Sequence, residues 1–268
     1  MMYFLSVVLI GTIYPIFLEV LSSQKISVGP PFYHKLIIPF LIPFLMAMAI
    51  GPKLKWIKSN IVDKFYLVLF FAISIVLSFL IVKKFSNNLL INTILISSAL
   101  YLFFITLRDF FIRKYSNISQ NIAHFGFSLL ILSILLNNLF SSEIITNLKV
   151  GETFTSSKTK IVFKSINQKQ EKNYKSIIAN FSIENINETI EDLSPELRIY
   201  NQPNIVTSEA DIKTTLLSDK FIVINIVQNQ DYFNVRYQVK PFMLWIWISV
   251  IVISFGGLLS FFKKEHEK

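Results

Sequence analysis

Histidine is scarce in this chain, and one of its three histidines lies where an ionisable group is costly. His124 falls inside the apolar run Ile118–Phe140, whereas His34 precedes an apolar run and His266 sits in a charged tail. An ionisable residue within a membrane-length helix faces a partner, a cavity or a cofactor rather than lipid. The chemistry available to a neutral imidazole there is axial ligation, since a histidine held between helices is a common way for membrane proteins to bind haem iron. The competing reading is a histidine hydrogen-bonded to a neighbouring helix. Helical spacing puts Gln120, Phe127, Ser128 and Ile131 on its face, and Gly126 beside it admits a planar group or another helix. One histidine cannot complete a six-coordinate haem, so a second ligand must come from elsewhere. His34 reads as an interfacial anchor and His266 as a solvated tail residue.

The other reactive side chains form no constellation. Glu19 ends the first apolar run, and Asp109 adjoins Arg108 at the inner boundary of another, so neither belongs to a paired acid and base. Glu196 and Arg198 read as local charge pairing on a surface strand. The absence of cysteine excludes disulfides, thiolate metal sites and thiol catalysis by this chain. Trp245 and Trp247 open the last apolar run as an aromatic belt at the outer interface, after Pro241, which suits a helix start. Gly256 and Gly257, inside that run, read as a close helix contact. The sequons at Asn117, Asn180 and Asn187 are expected by chance in a chain rich in asparagine and serine.

Residues of these kinds need helices in a bilayer to hold them. The chain has 268 residues, 53% of them hydrophobic, with a mean hydropathy of +0.53, and the apolar residues come in blocks. That pattern defines a polytopic α-helical membrane protein. Six stretches meet the roughly 20-residue requirement, near residues 3–21, 35–51, 65–82, 89–107, 119–140 and 242–262. The first has no basic residues before it and no small-residue cleavage site after it, so it reads as a retained helix. The formal charge of +9 comes without an arginine stripe or a nucleic-acid module, so it is read as membrane orientation, with no nucleic-acid partner. Basic residues mark three inner ends: Lys53, Lys55, Lys58 and Lys64; Arg108, Arg113 and Lys114; and Lys263 and Lys264. Only Lys83 and Lys84 oppose this orientation.

The domain plan that follows is a membrane domain over 1–140, an inserted mainly-β extramembrane domain over 141–240 on the outer side, and a final helix with an inner tail over 241–268. β-type runs begin at Thr159, Ser176, Phe221 and Tyr232, and suggest a small antiparallel sheet or a partly open barrel. A short helix is expected over Ser208–Leu217, capped by Thr207 or Ser208 and with Asp211 in its first turn.

Several motifs, in this order and spacing, resemble the carboxy-terminal half of the CcmF family. They are Gly11–Pro15 (GTIYP), Lys25–Pro31 (KISVGPP), Ala123–Gly126 (AHFG), Lys149–Thr153 (KVGET), Tyr174, Pro195–Tyr200 (PELRIY), Lys240–Trp247 (KPFMLWIW) and Gly256–Gly257. The family is the haem lyase component of cytochrome c maturation. The resemblance implies a complex that takes haem from haem-loaded CcmE, works with a CcmH-type protein and joins the haem vinyl groups to the Cys-x-x-Cys-His motif of apocytochrome c. It also implies that His124 corresponds to one of two transmembrane histidines holding a haem b, which keeps the incoming haem iron reduced.

The departures shape the expectation. The tryptophan-rich segment and three further functional histidines of the family lie upstream of the matched region, and Trp56, Trp245 and Trp247 form no such cluster. The chain therefore reads as one piece of a split lyase, not active alone, sharing its haem b with an amino-terminal CcmF-like partner in a bacterial inner membrane or mitochondrial inner membrane. The competing reading is a haem-free membrane scaffold of a cytochrome maturation complex.

Overall fold

The computed structural model describes residues 2–22, 26–53, 65–85, 88–112, 118–156, 159–185, 190–227 and 231–266. Lys25, Lys55, Trp56, Lys58, Lys64, Arg113, Lys114, Asn117 and Asn187 lie outside the described residues, as do the side chains beyond Phe262. Five helices come first: α1 (Met2–Ser22), α2 (Pro30–Ile50), α3 (Phe65–Phe85), α4 (Leu89–Ile112) and α5 (Ile118–Phe140). Ten strands follow, and α6 (Met243–His266) ends the order. All six helices are long and apolar enough to cross a membrane.

The observed α2 begins at Pro30, five residues before the expected start at 35. Pro30 and Pro31 occupy the first helical positions, where a missing N–H costs nothing and φ is already helical. Hydropathy places the start at the first sustained apolar residue and so overlooks such a polar opening turn. The helix also runs through Pro39 and Pro43, as α1 does through Pro15.

Two compact units emerge, Met1–Leu132 with Ser249–Lys268, and Ser133–Ile248. In the first, α4 is the hub. Buried residues make up 56% of its most apolar window and only 11–22% of those of the other helices, whose outward side chains must meet lipid or another chain. The face that α3 turns inward is Ser74, Ser78 and Val82, spaced four apart, and α4 supplies Ser97, Ser98 and Ala99. Small residues permit close backbone approach where lipid provides no hydrophobic drive. The serine hydroxyls donate back to carbonyls of their own helices. Near the start of α1, Tyr3 donates to the Leu36 carbonyl at 2.9 Å, tying that helix to α2.

The second unit is a pair of antiparallel sheets. One runs β1 (Ser142–Leu148), β10 (Phe233–Pro241), β9 (Ser218–Ile226), β8 (Asp211–Thr214). The other runs β2 (Thr153–Thr155), β3 (Thr159–Gln170), β4 (Tyr174–Asn185), β6 (Glu196–Asn201), β7 (Asn204–Glu209), with β5 (Glu191–Leu193) also paired to β4. Period-2 alternation fills the core: Ile161 and Phe163, Ala179, Phe181 and Ile183, Ile222 and Ile224, Val235 and Tyr237 are all buried. Phe163 and Phe181 stack at 4.4 Å between ring centres. All four expected strand runs lie in β3, β4, β9 and β10.

The expected helix over Ser208–Leu217 is absent; the segment is the end of β7, then β8 and a turn. Its capping side chains are engaged elsewhere. Thr207 donates to Glu209 at 3.1 Å, Ser208 donates to the Asn225 side chain, and the Asp211 carboxylate accepts the Ser194 N–H. Pairing of β7 along β6, with Ile205, Val206 and Thr207 in register with Tyr200, Ile199 and Arg198, overrides the local capping signal.

Candidate functional site

Contacts from three other helices fix the rotation of α5, and with it the direction of His124. Toward α4, the Ser128 hydroxyl lies 2.8 Å from that of Thr106. One turn back, Phe125 packs between Phe103 and Phe110, each 5.7 Å away between centres. Asn121 donates to the Asp109 carbonyl at 3.3 Å. Toward α2, Phe127 meets Phe44 edge-on at 6.3 Å.

Helix α6 approaches through two glycines. A Cβ on Gly126 would lie 2.9 Å from the Ile253 backbone nitrogen, and one on Gly256 would lie 2.7 Å from that of Ala123. The close contact read from Gly256 is therefore present, while Gly257 has open space around its Cβ position.

So held, the half-buried His124 and the exposed Gln120 line a narrow cleft with Met48 and Pro52 from the α2 end and with Ile105, Thr106 and Asp109 from α4. Its volume of about 20 Å³ is room for one water. Beside it, the Lys53 ammonium contacts both Asp109 oxygens, at 2.6 and 2.5 Å. The Arg108 guanidinium stacks 3.6 Å from the centre of the Tyr66 ring. Residue spacing identified Gln120, Phe127, Ser128 and Ile131 as the neighbours of His124, and of these only Gln120 lines its cleft, while Phe127 and Ser128 hold the helix. The Lys53–Asp109 pair was not legible, although Asp109 inside an apolar helix is itself a signal that a partner exists.

Among the described residues no hydrogen bond reaches either ring nitrogen of His124, which leaves the imidazole available as a donor. As one half of an axial pair, this donor fits a haem iron. The cleft, with room for about one water, does not itself hold a porphyrin. His34 stands in the second turn of α2, 14 residues before Met48, or about 21 Å along the axis at 1.5 Å per residue. That distance removes it as a second ligand. Among the described residues there is no cluster of three or more metal-binding side chains.

In the second unit, Arg198 donates to Glu196 at 3.0 Å. This bond holds the Glu196 carboxyl below the usual glutamate range. The pair is local, as its spacing suggested.

Six membrane-length helices, with a β-sandwich between the fifth and the sixth, define an integral, multi-pass membrane protein. Residues 139–241 match the family model described as the CcmF C-terminal beta-sandwich. Nearly the whole chain is similar to cytochrome c-type biogenesis proteins named CcmF. It is 26% identical to that of Pseudomonas fluorescens over 97% of this chain and 42% of the relative. With that of Escherichia coli K12 it shares 24% over 98% and 42%. A solved structure titled cytochrome c heme lyase CcmF superposes with a TM-score of 0.70 at 18% identity, covering 95% of this chain and 43% of that one. The resemblance read from the motifs thus holds in sequence and in fold, and the chain spans about 42% of the length of these curated relatives.

Proposed function

We propose that this chain is the carboxy-terminal part of a split cytochrome c haem lyase, and that His124 gives one axial nitrogen to a haem b shared with an amino-terminal partner. The observation that carries the reading is an imidazole inside a membrane helix, half-buried and with no hydrogen bond among the described residues, on a helix held from three sides. Bound there, a haem b would supply one-electron transfer to keep the iron of the incoming haem reduced. This chain's part is to place the imidazole: Thr106 and Ser128 set the rotation of α5, and Gly126 and Gly256 bring α6 against it. A narrow cleft admits about one water beside the ring. The opposite axial ligand and the tryptophan-rich surface for ligation would belong to the partner. The Ser27–Pro31 segment and the β-sandwich would meet haem-loaded CcmE, a CcmH-type protein or apocytochrome c.

Reduced-minus-oxidised optical spectra test the assignment, taken on this chain alone and in complex with its amino-terminal partner. A b-type signal is expected only in the complex and should be lost in His124→Ala, with membrane insertion unchanged. Absence of haem from an intact complex would favour the haem-free scaffold, and full haem content in the variant would remove His124 as the ligand.

A further inference from the structure

The turn between β8 and β9 has an unusual tip. Tight turns between antiparallel strands favour glycine, asparagine and aspartate, yet here Leu216 and Leu217 occupy it, 71% and 68% exposed. Neither belongs to the sandwich core. The turn is closed on both sides of the tip. Thr215 N–H donates to the Ser218 carbonyl at 3.0 Å, and its hydroxyl accepts the Ser218 N–H at 3.1 Å.

Phe242, immediately before α6, and Trp245, in its first turn, then take up both leucine carbonyls. The Trp245 indole N–H donates to Leu216 O at 2.9 Å, and the Phe242 N–H donates to Leu217 O at 2.8 Å. Phe242, at φ +61, makes the reversal from strand to helix and sets its ring, tilted, 6.3 Å between centres from that of Phe140, the last residue of α5. Nearby, the Asn137 side chain donates to the Pro241 carbonyl at 2.5 Å. The tip is thus fastened where one membrane-length helix ends and the next begins.

We infer that the Leu216–Leu217 turn is a lipid-binding finger of the β-sandwich, entering the bilayer interface beside the start of α6. Three observations converge on lipid. The turn is bound by Trp245, in the first turn of the membrane-length span, and by Phe242 immediately before it. Tryptophan, which holds the Leu216 carbonyl, favours the membrane interface. Both tip carbonyls are also already paired, which lowers the cost of bringing this backbone into an apolar medium. Trp245 therefore contributes a bond as well as its place in an aromatic belt. This inference is independent of haem.

The absence of cysteine gives a clean test, because one introduced thiol is unique. Leu217→Cys and, separately, Leu216→Cys would carry a bimane label in the full chain, reconstituted into phosphatidylcholine nanodiscs. Ile205→Cys on β7 and Ile251→Cys on α6, 50% and 68% exposed, serve as water and lipid references. The turn labels should lose most of their fluorescence to nitroxide-labelled lipid, as the Ile251 label does, and little to aqueous iodide. Iodide quenching like that at Ile205 would overturn the inference by placing the turn in water. Protection from both quenchers would overturn it too, showing that protein covers the leucines.

Discussion

Near the carboxy-terminal end of α4, a buried charge has a partner that sequence order hides. The Lys53 side chain is 8% exposed and the Asp109 side chain 23%, so removing Asp109 leaves Lys53 desolvated without its carboxylate, while removing Lys53 leaves Asp109 only Arg108, 3.9 Å away. Lys53→Met or Asp109→Asn should each cost about 1.5–3 kcal/mol, the range for hydrogen bonds to charged groups. The exchanged pair Lys53→Asp with Asp109→Lys should recover much of the loss. Thermal unfolding in detergent, analysed as a double-mutant cycle, reads the coupling; strictly additive losses would show that the two charges act independently. Fifty-six positions separate these residues, and helical periodicity relates only neighbours three or four apart. The local part of the site, His124 with Gln120 and Gly126, was legible for that reason. Which neighbouring helix each face would meet was not.

Between elements, the contact of α5 with α6 depends on what glycine lacks. A methyl at Gly256 would meet the Ala123 backbone at 2.7 Å, and backbone cannot rotate away as a side chain can. At Gly11 the first atoms met belong to the Tyr33 ring and hydroxyl, the far end of a side chain. Gly256→Ala should therefore cost about 1–3 kcal/mol, the usual range for overpacking, and Gly11→Ala less. Melting temperatures of the two variants in one detergent decide it; equal losses would mean that α6 shifts freely. The helices were legible because each carries its apolar run alone, and the long strands because burial alternates along them. The Ser208–Leu217 segment was misread because capping residues there served bonds between strands, which only the register of β7 on β6 reveals.

For the molecule as a whole, orientation follows from where the basic residues stand. Retention of lysine and arginine on the inner side would place Lys53 and Arg108 inside, and alternation through six crossings would then put the end of α3 and the β-sandwich outside. The opposing residues, Lys83 and Lys84, close the last turn of α3, where cations also complement the helix dipole, so their position has a local cause. Single thiols test this directly in a chain that has none of its own. Thr155→Cys in the sandwich and Phe85→Cys after those lysines should react with an impermeant maleimide added outside intact cells. Gly51→Cys, which is exposed and has open space for its side chain, should react only after permeabilisation. The reverse pattern would invert the chain and place the β-sandwich on the inner side. Labelling of Phe85→Cys from the inside alone would instead show that α3 or α4 fails to cross, and that the two lysines outweigh the apolar length of those helices.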